Sequence, residues 1–144
     1  MSHTAETLKT LGRRAPQRAK DAQKAARALV REGMPISVVE RLAKTFDTSI
    51  DVIQRIIGVS RATGTRQRSR QAPLRPLPSD RAFRMASVYT LAEEVFEDAQ
   101  SARAWFKEPN RALHGEAPLE LLDTEAGAED VIRILKRVEY GVYS

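Results

Sequence analysis

The sequence predicts an all-α protein. The 144 residues include 42% hydrophobic residues, enough for a folded core. Apolar residues recur at helical spacing in several segments, and no segment shows the alternation of a half-buried strand. The chain contains no cysteine, which excludes disulfides and thiolate ligands. We expect a small N-terminal helical domain, a connector and a C-terminal helical domain.

The N-terminal segment predicts little structure. Residues 1–16 are polar and contain Gly12 and Pro16, so we expect a flexible tail. The segment has no apolar core of the kind found in signal peptides, and no apolar run is long enough to span a membrane. These observations favour a cytoplasmic protein.

Residues 17–70 are predicted to form four short helices. The "SVVE" sequence places Ser37 and Glu40 at the spacing of a capping box. Gly58 is a helix terminator, and Ser60 can cap the helix that follows. The apolar stripes of the first three helices are Ala22, Ala25, Ala26, Leu29 and Val30; Val39, Leu42, Ala43 and Phe46; and Ile50, Ile53, Ile56 and Ile57.

The second half begins with a connector. Residues 71–79 contain three prolines, which predicts a stiff, non-helical segment. Residues 80–144 then form the C-terminal domain. It is predicted to contain a long helix capped by Ser79 or Asp80, a short helix ending at Pro109, a helical turn over "PLELL" and a last helix over about 126–140.

The charge is divided between the two halves. Residues 1–80 contain 16 Lys and Arg against 7 Asp and Glu, a net charge of +9, whereas residues 81–144 contain 8 against 12, a net charge of −4. Such asymmetry indicates one part that contacts a polyanion and another that contacts a different partner.

The stretch "GVSRATGTRQRSRQ" is the most basic part of the chain. It can form the turn and second helix of a helix-turn-helix unit, with glycine in the turn, Val59 in the core and Ser60 as cap. Arginines pair with phosphates and guanine edges, and Thr63 and Thr65 are short enough to approach bases. Gly64 is unexpected, because an aliphatic anchor usually occupies that position. The alternative is a solvated basic linker.

A second helix-turn-helix frame fits the sequence "LAKTFDTSIDVIQRII". Here Asp47 lies in the turn and Ile53 and Ile56 anchor the second helix, so that Ser49, Asp51, Gln54 and Arg55 would read DNA. Hydrophobic spacing favours this frame, and charge favours the later one. The DNA-binding candidates from both frames are Ser49, Gln54, Arg55, Ser60, Arg61, Thr63, Thr65, Arg66, Arg68 and Arg70.

Catalysis is not expected. His3 and His114 are too far apart in sequence for a zinc motif, and no phosphate-binding glycine loop is present. We therefore expect no enzyme activity, no metal and no cofactor.

The C-terminal sequence resembles a known family. The stretch "ARAWFKEPNRALHGEAPLELLDTEAGAEDVIRILKRVEYG" is similar to the C-terminal toxin-binding domain of Xre/MbcA/ParS antitoxins, in the residues Trp105, Pro109, Asn110, Ala112, Leu113, Gly115, Pro118, Leu119, Leu122, Asp123, Thr124, Gly127, Val131, Tyr140 and Gly141. The stretch "GVSRATGTRQR" resembles the helix-turn-helix of the same family.

The resemblance implies the antitoxin of a type II toxin–antitoxin pair. The implied partners are a RES-domain toxin that consumes NAD+, a second copy of the chain, and the promoter DNA of its own operon, which the complex represses in the bacterial cytosol and nucleoid. The acidic C-terminal half would complement a positively charged NAD+ pocket. The toxin-binding candidates are Asn110, Asp123, Thr124, Glu125, Glu129, Arg133, Tyr140, Gly141 and Tyr143.

Two other functions are compatible with the same sequence. One is a stand-alone helix-turn-helix regulator whose C-terminal domain serves oligomerisation or ligand sensing. The other is an adaptor that does not bind DNA.

Overall fold

The computed structural model describes residues 2–141, and all regular structure in this range is helical. The predicted all-α fold is confirmed. The α-helices are α1 His3–Thr10, α2 Ala19–Glu32, α3 Val38–Phe46, α4 Ile50–Ile57, α5 Arg61–Arg70, α6 Pro76–Phe96, α7 Ala99–Lys107 and α8 Glu125–Glu139, and two 3-10 helices, η1 Arg111–Leu113 and η2 Pro118–Asp123, lie between α7 and α8.

Helix α6 is the centre of the molecule. It packs against α1, α2, α3, α4, α7, α8 and η2. Tyr89 of α6 lies against Phe46 of α3 at a ring-centroid distance of 5.3 Å, and Phe46 lies 5.0 Å from Phe106 of α7. These edge-to-face contacts join residues from both halves of the sequence, so the described helices share one hydrophobic core.

The predicted N-terminal tail is wrong for most of its length. Helix α1 packs on α6 and α2, and its apolar residues Ala5 and Leu8 are 0% and 1% exposed. Ser2 caps the helix by accepting a hydrogen bond from the amide of Ala5 at 3.2 Å. The short helix is stabilised by this packing, because eight residues are too few to hold a helix in isolation.

The predicted connector is also structured. Helix α6 begins at Pro76, earlier than expected, because proline is well suited to the first turn of a helix, where its missing N–H has no helical partner. Ahead of it, Leu74 is 2% exposed and its amide donates to the carbonyl of Met34 at 2.8 Å. The segment is therefore part of the packed fold.

The predicted turns at Asp47 and Gly58 are confirmed, whereas the predicted cap at Ser79 or Asp80 is wrong, because both residues lie inside α6. Asp47 and Gly58 adopt left-handed conformations with φ of 54° and 81°, which end α3 and α4. The predicted capping box is wrong, because Ser37 has helical dihedral angles and its side chain makes no cap hydrogen bond.

Candidate DNA-binding and toxin-binding surfaces

The basic stretch forms a helix and α6 begins soon after it, so interpreting residues 61–78 as a solvated linker is wrong. The Ser60 hydroxyl begins α5 by accepting from the amide of Thr63 at 3.1 Å. Within α5, only Gly64 is buried. The other candidate side chains are accessible: Arg61, Thr65, Arg66 and Arg70 are exposed, and Thr63 and Arg68 are half-buried.

A buried glutamine attaches α5 to the rest of the fold. Gln54 of α4 is 2% exposed, and its amide donates to the carbonyl of Ser60 at 3.1 Å. Its oxygen accepts from Arg68 at 2.9 Å. A Cβ on Gly64 would lie 2.5 Å from the amide nitrogen of Gln54, so glycine makes room for this side chain. The amide of Gln54 thus takes the place of the expected aliphatic anchor.

In the earlier helix-turn-helix frame, formed by α3 and α4, the residues predicted to contact DNA make contacts inside the chain. The prediction that Gln54 reads DNA is wrong, because its side chain is buried and hydrogen-bonded within the fold. Asp51 pairs with Arg61 at 2.9 Å, and Arg55 pairs with Glu120 of η2 at 2.9 Å. The hydroxyl of Ser49 caps α4 by accepting from Val52. Ser49 and Arg55 remain exposed, but both already have partners inside the chain.

In the C-terminal half, the segment 110–116 forms a compact loop. The side-chain oxygen of Asn110 accepts from the amide of Ala112 at 2.9 Å. The amide of Asn110 donates to Glu116, and its carbonyl accepts from Gly115. Asn110 is thus half-buried and holds the loop closed. Sequence reasoning placed it at the toxin, whereas the contacts in the chain give it a structural role as well.

Four of the eight remaining toxin-binding candidates lie around the start of α8. Thr124 caps the helix by accepting from the amide of Gly127 at 2.9 Å. Gly127 packs so closely on η2 that a Cβ would collide with the carbonyl oxygen of Leu121. This contact fixes the start of α8 beside η2 and groups the exposed residues Asp123, Thr124, Glu125 and Glu129 at one end of the helix.

Of the other candidates, Arg133 lies on α8, and Tyr140 and Gly141 directly follow the helix. Arg133 is exposed and donates to Asp130 at 2.7 Å. Tyr140 is 74% exposed, which is unusual for an aromatic side chain, and Gly141 follows with a φ of 70°. Tyr143 lies outside the described residues. The end of α8 therefore presents a largely exposed aromatic side chain.

Two ion pairs connect the candidate surfaces, and sequence reasoning missed both. Lys107 of α7 donates to a carboxylate oxygen of Asp47 at 2.6 Å and to its carbonyl at 3.2 Å. The hydrogen bond and charge of Lys107 lower the pKa of Asp47 below its usual value. The pair between Arg55 and Glu120 joins α4 to η2 in the same way. The two residues of each pair are 60 or more positions apart, so no local sequence pattern indicates that they meet.

Neither a metal site nor a membrane span is found in the part of the chain that the structure describes. No group of three or more His, Asp and Glu residues among residues 2–141 is arranged to hold a metal ion. No helix in this range is long and apolar enough to cross a membrane.

Comparison with known proteins accounts for both halves of the chain. Residues 25–87 match the antitoxin Xre-like helix-turn-helix domain, and residues 91–141 match the antitoxin Xre/MbcA/ParS C-terminal toxin-binding domain. A protein of Yersinia enterocolitica named "Antitoxin Xre" is 34% identical over 138 residues, which cover 82% of this chain and 92% of that protein. The chain belongs to the Xre antitoxin family.

Other relatives agree with this assignment. An "Antitoxin Xre" of Photorhabdus laumondii is 31% identical over 118 residues, covering 81% of this chain and 80% of its own length. A Sphingobium protein named "Prs ADP-ribosylating antitoxin" is 22% identical over 125 residues, covering 81% and 79%. The two domain matches of this Xre-family chain meet inside α6, so one helix serves both domains.

Proposed function

We propose that this member of the Xre family binds and neutralises a RES-domain toxin that consumes NAD+, and that it represses its own operon by binding promoter DNA. It does so as a homodimer in the bacterial cytosol, without catalytic activity or cofactor. The observation that carries the proposal is the combination of a toxin-binding domain match at residues 91–141 with an exposed arginine helix in the helix-turn-helix match at residues 25–87.

DNA recognition is assigned to the later helix-turn-helix frame, in which α5 enters the major groove. This assignment is supported by the exposure of Arg61, Thr65, Arg66 and Arg70 and by the burial of Gln54. The ion pair between Arg61 and Asp51 joins the two frames and favours neither. The arginines supply bidentate donors for guanine edges and phosphates. In a dimer, two copies of α5 would contact half-sites about one helical turn of DNA apart.

Toxin binding is assigned to η2 and α8. The exposed carboxylates Asp123, Glu125 and Glu129 are complementary to the positive pocket that NAD+ pyrophosphate requires. Tyr140 at the other end of α8 provides an aromatic anchor for a cleft. The name of the Sphingobium relative refers to ADP-ribosylation, and ADP-ribose is the group that NAD+ carries. This supports a partner that uses NAD+.

The DNA-binding assignment is tested with two variants. Arg61→Gln/Arg66→Gln/Arg70→Gln removes three exposed cations of α5, and we expect affinity for a fragment of its own promoter to fall at least about a hundredfold, because each direct contact contributes about 1–3 kcal/mol. Arg55→Gln removes an arginine of the earlier frame and serves as the control. It should change the affinity for the same fragment by less than about threefold. Fluorescence anisotropy at fixed salt measures both.

The opposite order of effects would contradict the assignment. A large loss with Arg55→Gln and none with the α5 triple variant would move recognition to α4. If the wild-type chain binds promoter DNA no more tightly than unrelated DNA, the repressor part of the proposal fails.

A further inference from the structure

Helix α2 carries a stripe of cations that the proposed function does not use. Lys20, Lys24, Arg27 and Arg31 follow the spacing i, i+4, i+7 and i+11, which places all four on one face of the helix. All four are exposed. The opposite face, formed by Ala22, Ala26 and Leu29, is the one that α2 buries. We call these four residues the α2 stripe.

The α2 stripe has an acid nearby but no ion pair, since Asp80 of α6 lines the same surface pocket as Arg27 and Arg31. None of its members forms an ion pair with another side chain among residues 2–141. The helix contains two acids: Asp21 stands three residues before Lys24, and Glu32 follows Arg31, but neither forms an ion pair with the stripe. Like charges three or four residues apart destabilise a helix by about 0.2–0.5 kcal/mol per pair. The four cations of the stripe therefore repel one another in the free protein, and a polyanion would reduce that repulsion.

The stripe lies on a helix whose C-terminal end meets that of α5. Gly33, which follows α2, lines the same groove as Arg68 near the end of α5. The backbone of the two segments is also joined, since Leu74 donates to Met34 across this junction. The C-terminal end of the stripe thus lies near the C-terminal end of α5, and the four residues of the stripe span about 16 Å along α2 at 1.5 Å per residue.

We propose that the α2 stripe is a second DNA-binding surface, which contacts the phosphates of the duplex outside the segment read by α5. This inference rests on the proposed DNA binding. Lysine and arginine side chains without fixed internal partners suit phosphate contacts, which add affinity and salt dependence but carry no sequence information. The stripe strengthens binding to every sequence, whereas α5 discriminates between sequences.

The test compares two triple variants of the full chain that remove the same charges. Lys24→Gln/Arg27→Gln/Arg31→Gln removes three members of the stripe. Arg133→Gln/Lys136→Gln/Arg137→Gln removes two arginines and one lysine from exposed positions of α8. Glutamine has a helix propensity close to that of lysine and arginine, so both variants should stay folded, which circular dichroism checks.

The measurement is the dissociation constant for promoter DNA and for an unrelated duplex across a series of salt concentrations. For the stripe variant we expect weaker binding to both duplexes and a salt slope reduced by about 2–3, since each lost phosphate contact removes about 0.9. The ratio of the two affinities should not change. The α8 variant should keep the wild-type slope.

Three results would overturn the inference. If the stripe variant keeps the wild-type salt slope, the stripe does not contact DNA. The proposed function would still hold in that case, provided that the wild-type protein binds promoter DNA and the α5 variant does not. If the salt slope falls equally in the α8 variant, the effect comes from the lower net charge of the protein and not from contacts of the stripe. If wild-type protein shows no salt-dependent DNA binding, the inference and the proposed repressor function fail together.

Discussion

At the residue scale, Gln54 and Gly64 depend on each other. A helix with no apolar stripe is held by the amide of Gln54, and that amide occupies the space where a Cβ of residue 64 would be. Glycine normally weakens a helix by about 1 kcal/mol relative to alanine. In this structure the cost is offset by two hydrogen bonds of the Gln54 amide, one of which holds the side chain of Arg68 on α5.

A double-mutant cycle tests this dependence. In the wild-type background, Gly64→Ala should give no gain in the free energy of unfolding, because the new Cβ displaces Gln54. In the Gln54→Ala background the same change should stabilise by about 1 kcal/mol, the ordinary helix-propensity difference. Urea unfolding of the four proteins measures the coupling. Additive effects would contradict the packing described here.

Tyr89 makes stability depend on pH in the alkaline range. Burial raises its pKa to about 12, with a further contribution from Glu93. In the unfolded chain the hydroxyl ionises near pH 10, so the folded state keeps a proton that the unfolded state loses. The contribution of Tyr89 is complete below about pH 10 and is lost as the pH rises towards 12.

The prediction for Tyr89 concerns the slope of stability against pH. Between pH 10 and 12, the free energy of unfolding should fall more steeply in the wild type than in Tyr89→Phe, which keeps the ring but has no hydroxyl. Urea midpoints at several pH values measure both slopes. Equal slopes would show that Tyr89 ionises alike in the folded and unfolded states.

At the element scale, the junction of η2 and α8 depends on Gly127. Alanine usually strengthens a helix, but here its Cβ would collide with the carbonyl of Leu121. We expect Gly127→Ala to lower the free energy of unfolding by about 1–3 kcal/mol, as overpacking does. The control is Ala126→Ser, at an exposed position in the same turn. Thermal unfolding measures both variants. If their melting temperatures agree within error, the close packing of Gly127 on Leu121 is refuted.

The elements also show which parts of the structure could be predicted. The turn after α4 was predictable because Gly58, Val59 and Ser60 each have a local role, as terminator, core residue and cap. Helix α1 was not, because its stability comes from α6, which is distant in sequence. The role of Gln54 depends on a buried polar contact across two helices, and no local pattern indicates such a contact.

At the scale of the whole molecule, both functions are built on one core. The aromatic cluster of Phe46, Tyr89 and Phe106 joins the helix-turn-helix region to the C-terminal helices, and the Lys107–Asp47 and Arg55–Glu120 pairs join them at the surface. The net charge changes sign between the two halves of the sequence. The arginine-rich helix α5 and the acidic start of α8 therefore belong to one folded unit.

The central claim is neutralisation of an NAD+-consuming toxin, and the most direct test is a titration. The product of the adjacent gene is purified, and its turnover of NAD+ is measured while the full chain is added. The account predicts that NAD+ turnover falls to the background level at a fixed molar ratio, and that a chain truncated after Val138, which removes Tyr140, inhibits at least about tenfold more weakly. Unchanged NAD+ turnover in an excess of the full chain would contradict the account and favour a stand-alone regulator.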